Sequence, residues 1–90
     1  MDSLDKLRED IDLIDKELIK LFEKRIEKVY EIAEYKKENK MPIFDENREE
    51  EVIKRNIKDK EKSKQVIIKD FLKFIMDTSK DIQKNKNNVK

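Results

Sequence analysis

The chain has 90 residues, half of them charged, and 23 Lys plus Arg against 22 Asp plus Glu leave a formal charge of only +1. That length holds one domain, and with no net field a basic surface for nucleic acid is not expected. The absence of Gly, Cys and His excludes Gly-rich phosphate loops, disulfides, the commonest zinc ligands, thiol nucleophiles and the usual neutral-pH general base.

The opening residues, Met1-Asp2-Ser3-Leu4-Asp5, lack a basic region followed by an apolar one, and no stretch approaches a membrane span. A cytoplasmic protein is expected. Leu4, Leu7, Ile11, Ile14, Leu18 and Leu21 then recur in steps of three and four, continuing through Val29 and Ile32, the period of a long amphipathic helix. Ser3 or Asp2 is placed to cap its start. Its end is expected near Asn39, because Pro42 pushes the residue before it out of the helical region. Lys40 to Phe44 is the predicted connector.

Asp45 is a good N-cap for a second, short helix, with Glu46, Glu49 and Glu50 in the turns where the helix dipole favours negative charge. Val52, Ile53 and Ile57 give it a narrow apolar stripe that dies in the polar run from Lys58 to Lys62. Ser63 is positioned to cap a third helix, of medium length, whose predicted buried face is Val66 or Ile67, Phe71, Leu72, Ile75, Met76 and Ile82. Beyond Gln83 the chain is mostly Lys and Asn, and a disordered tail is expected. The whole is read as one all-α domain over residues 1–90, with an ordered core at about 4–84.

A first helix over about residues 4–39 is roughly 54 Å long, whereas a compact chain of this size has a radius of gyration near 12 Å. Two shorter helices cover only part of such a rod. A second copy is the expected remedy, as an intertwined helical homodimer.

Cations interrupt the stripe that should be buried. Arg25 stands four residues after Leu21 and four before Val29, and Lys36 stands four after Ile32. They share a face and are roughly 16 Å apart along the axis, within reach of one ligand for two long side chains. Arg8, at the edge of the same stripe, is roughly 25 Å from Arg25 and too distant to join it. An antiparallel partner helix crossing near Leu18 would instead bring its own Arg8 into the Arg25 to Lys36 interval. In the second helix Arg48 and Glu49 precede Val52 and Ile53 by four; in the third, Ser79 and Gln83 lie four and eight beyond Ile75.

Buried cations are costly without an anion to answer them, and a small dianion would supply it. The alternative is that such side chains carry their heads to water, as Arg and Lys beside an apolar stripe usually do. Glu49 would then serve only the helix dipole, and Ser79 and Gln83 would line a wet helix end.

Taken in order, Leu7-Arg8, Ile11-Asp12, Ile14-Asp15, Leu18, Leu21, Arg25, Ile32 and Lys36, then Ile43-Phe44-Asp45 with Arg48-Glu49, then Ser79 and Gln83, the sequence resembles the all-α class of chorismate mutase, the AroQ family. The similarity runs from Leu4 to Gln83. It implies an intertwined dimer of three-helix chains that rearranges chorismate to prephenate on the route to phenylalanine and tyrosine, with no cofactor and no metal. By the same resemblance Arg25 and Arg8 of the other subunit bind the substrate's carboxylates, completed by Arg48 and Ser79. Lys36 and Gln83 act on the ether oxygen, and Glu49 accepts from the ring hydroxyl, aided by the backbone near Asp45. Some relatives place Glu at the Gln83 position, where donation requires a protonated acid; an amide implies activity that persists at neutral pH. Two other functions remain open: an isochorismate-pyruvate lyase of similar fold, from which the Asp45, Arg48, Glu49 segment leans away, and a non-catalytic helical interaction module.

Overall fold

A computed structural model describes residues 3–88. The chain forms three helices, α1 (Ser3–Glu38), α2 (Glu46–Ile57) and α3 (Lys62–Asn88), with no strand among the described residues. Ser3 lies inside α1 rather than capping it, and Asp2, the other expected cap, lies outside the described residues. The helix closes at Lys40, whose φ of 54° is left-handed. From there the Met41 N–H reaches the Lys36 carbonyl at 2.8 Å and the Lys40 N–H reaches that of Lys37 at 3.3 Å. These two bonds make a Schellman closure with lysine where glycine is usual.

Asp45 caps α2 as its sequence suggests: its backbone is extended and its Oδ1 accepts from the Arg48 N–H at 3.0 Å. The turn into α3 is tied by Gln65, whose Nε2 donates to the carbonyls of Ile57 (3.0 Å) and Lys60 (2.9 Å). Here the expected cap is corrected. The carbonyl of Glu61 accepts the first helical bond, from the Gln65 N–H at 2.9 Å, so Ser63 already sits within the helix. The other end differs too. α3 continues past Gln83 to Asn88, because residues 84–88 contain neither Gly nor Pro to stop it; the tail beyond Asn88 lies outside the described residues.

α3 packs against both other helices. Its Leu72, Ile75 and Met76 are buried, with Phe22 of α1, Val52 and Ile53 of α2, and Ile68 against them; Val29 and Ala33 complete the core on α1. Facing Ile68, Leu72, Ile75 and Met76 inward turns the rest of the predicted α3 face outward. Val66, Ile67 and Phe71 are exposed, not buried, and Ile82 is half-buried.

The first half of α1 departs furthest from the predicted burial. Leu4, Leu7, Ile11, Ile14, Leu18 and Leu21 are each 47–61% exposed, because the helix outruns everything its own chain lays against it. The molecule measures 57 × 31 × 14 Å with a radius of gyration of 16.7 Å, well above the roughly 12 Å of a compact chain this long.

Candidate active site

The C-terminal half of α1, the connector, the opening of α2 and the end of α3 enclose a cleft of about 370 Å³. Arg25, Lys36, Asp45, Arg48, Glu49, Ser79 and Gln83 all line it, so helical register alone brings seven of the eight predicted residues to one place. Arg8 is not among them. It lies exposed on the uncovered half of α1, as its distance along the helix requires.

Arg25 forms the floor. Its guanidinium donates to Ser79 Oγ and to the Ile75 carbonyl at 3.5 Å, while the Ser79 hydroxyl itself donates to that carbonyl at 2.8 Å. Burial, and secondarily the charge of Arg48, push the Arg25 pKa below its ordinary value, yet a guanidinium stays charged at any pH a protein meets. A cation held partly desolvated beside a second cation is an electrostatic site for an anion.

Lys36 donates to the Ile43 carbonyl at 2.8 Å, which pins the connector across the cleft and leaves other ammonium hydrogens to donate. Gln83 is buried, only 6% exposed, and its Oε1 has no hydrogen-bond partner. Arg48 corrects the expectation of an inward side chain. It lies exposed at the cleft's rim with Nη1 3.3 Å from Glu51 Oε1, a carboxylate that Arg55 also binds. Its partner Glu51 lies three residues on along the same solvated helix, and that local pairing holds the guanidinium at the mouth.

Two lining residues had escaped the sequence reading. Asn56 follows Val52 by one turn and donates to its carbonyl at 2.8 Å. Lys80 extends the row Leu72, Met76, and that spacing was the available signal; its Nζ binds Glu49 Oε2 at 3.1 Å and Asp77 Oδ1 at 3.3 Å. With Lys80 counted, four cationic side chains, Arg25, Lys36, Arg48 and Lys80, face two carboxylates, Asp45 and Glu49. The lining therefore carries an excess of two positive charges. Among the described residues no acidic cluster is arranged to hold a metal ion, and no helix is long and apolar enough to cross a membrane.

Comparison with known proteins finds a family match over most of the chain. The family model described as chorismate mutase type II matches residues 7–84. A curated relative, the T-protein of Haemophilus influenzae, is 43% identical over 49 residues, which is 54% of this chain and 13% of that protein. The chain thus matches only about an eighth of that relative's length. No solved structure matches significantly.

Proposed function

The chain belongs to the chorismate mutase type II family, and from that premise we propose that it rearranges chorismate to prephenate in phenylalanine and tyrosine biosynthesis, as a homodimer with two shared sites. The observation that carries this is the cleft's excess of two positive charges, which equals the charge of a dicarboxylate. Five half-exposed apolar residues of α1, Leu7, Ile11, Ile14, Leu18 and Leu21, support the dimer, since monomers rarely leave a contiguous stripe of that kind in water. An antiparallel partner helix covering it would deliver Arg8 of the partner subunit to the mouth of the cleft. A cytoplasmic setting is part of the same proposal.

The rearrangement breaks the ether C–O bond while a C–C bond forms within one molecule, with no proton, electron or leaving group exchanged. Such a reaction needs a folded substrate and a field, not a nucleophile. Arg25, supported by Ser79, binds one carboxylate, and Arg48 with the second subunit's Arg8 binds the other; paired N–H groups suit this because they fix orientation as well as charge. Fixing both ends in the reactive chair removes much of the entropic barrier. Negative charge then grows on the ether oxygen. Lys36 Nζ and the Gln83 amide donate to it, and donors placed before the reaction stabilise the transition state more than the substrate. Glu49 accepts from the ring hydroxyl and so fixes which face of the ring is presented.

The test is to incubate the purified chain with chorismate and with isochorismate. Loss of chorismate absorbance with formation of prephenate is expected; salicylate from isochorismate would instead favour the lyase, and no reaction with either would favour an interaction module. Arg25→Ala and Lys36→Ala should each lower kcat/KM by at least about 10²-fold, the scale seen when one transition-state donor is removed. Unchanged turnover in both would contradict the assignment.

A further inference from the structure

We propose that Lys80 is a positioning residue that fixes the Glu49 carboxylate in the orientation needed to receive the substrate's hydroxyl, a role that rests on the mutase reading of this cleft. Lys80 and Glu49 form an ion pair across helices, at 3.1 Å between α3 and α2. Six further ion pairs link residues three or four apart on one helix. Exposure also sets it apart, at 23% and 25% for Lys80 and Glu49 against 47% or more for the side chains of the five of these pairs that exclude Lys80.

Lys80 is itself anchored from three directions. Asp77 holds it from one turn back at 3.3 Å, the Phe44 ring of the connector lies 4.6 Å from its Nζ, and Glu49 takes the remaining side. The ring face attracts the cation, so connector, α2 and α3 converge on one ammonium. Its pKa is raised, first by the hydrogen bond to Glu49 and, against the cost of burial, also by Asp77. Only Oε2 of Glu49 is engaged by Lys80, which leaves Oε1 to accept from a ligand. Without Lys80, the Glu49 carboxylate would lose the contact that fixes it and could turn toward the other cations lining the cleft, Arg25, Lys36 and Arg48, cancelling part of the charge that holds the substrate.

A double-mutant cycle in the full chain tests this. Lys80→Met should raise KM for chorismate about tenfold with a smaller change in kcat, the pattern of a lost contact made equally in ground and transition states. In a Glu49→Gln background the same change should cost less than about twofold, because the group through which Lys80 acts is already altered. Lys80→Arg should restore most of the loss. Wild-type kinetics in Lys80→Met, or a full tenfold cost retained beside Glu49→Gln, would overturn the proposal. A readout without substrate separates its failure from that of the mutase assignment: NMR titration of the Lys80 side chain should move toward the ordinary lysine value in Glu49→Gln. An unmoved titration would refute the pairing even in an active enzyme.

Discussion

Gln83 shows how a single side chain in this cleft trades stability for function. Its Oε1 is buried without a partner, and an unsatisfied buried acceptor costs about 1–3 kcal/mol. Gln83→Leu, similar in volume and without that oxygen, should raise the thermal midpoint while abolishing turnover, measurable by melting and absorbance assay on one preparation. The amide also sets the pH response. An amide donates at any pH, so activity should stay level between about pH 5 and 7.5, whereas Gln83→Glu donates only when protonated. Burial raises a carboxyl pKa, so that variant should be active at acid pH and lose activity as pH rises through the pKa. A wild-type profile falling steeply over the neutral range would contradict the role given to Gln83. Arg25, Lys36, Ser79 and Gln83 were legible in the sequence because helical period fixes which residues share a face. For Lys80 the same period marks the face it shares with Leu72 and Met76 but not its role, which comes from Glu49 and Phe44, distant in sequence and brought near only by packing.

At the scale of elements, the site depends on how two short segments are held. α2 presents Arg48 and Glu49 in its first turn, and the Asp45 side chain fixes that turn by accepting from Arg48 N–H. Asp45→Ala should cost about 0.5–2 kcal/mol of stability and raise KM more than it lowers kcat, read by denaturant melts and steady-state kinetics. Unaltered stability would show that the cap is not what holds the helix start. The α1 terminus offers the opposite change. Lys40 at φ 54° bears a left-handed strain of about 1–2 kcal/mol that glycine lacks, offset partly by glycine's freer unfolded chain. Lys40→Gly should therefore raise the midpoint by a few degrees. Such features divide by legibility: Asp45 is a cap by residue type, but in a chain without glycine nothing marks Lys40 as the left-handed residue. Likewise the start of α3 was misplaced because Glu61, not Ser63, supplies the first accepting carbonyl.

For the molecule as a whole, length against coverage is the governing quantity. The 36-residue α1 packs on its own chain only against the 27-residue α3, and its stripe from Leu7 to Leu21 is exposed. The sequence showed that the helix was too long for its own chain. It misjudged Val66, Ile67 and Phe71, whose exposure follows from the rotation of α3 about its axis, which periodicity leaves undetermined when apolar residues lie on several faces. The cleft and Arg8 sit at opposite ends of α1, so the proposed site is complete only when two copies combine. Mixing Arg8→Ala chains with Lys36→Ala chains tests that directly. Each homodimer should be nearly inactive, while re-equilibrated heterodimers carry one intact site and should restore about a quarter of wild-type turnover at equal mixing. Activity no higher than that of the separate variants, in a mixture shown to contain heterodimers, would contradict a dianion site built across two chains.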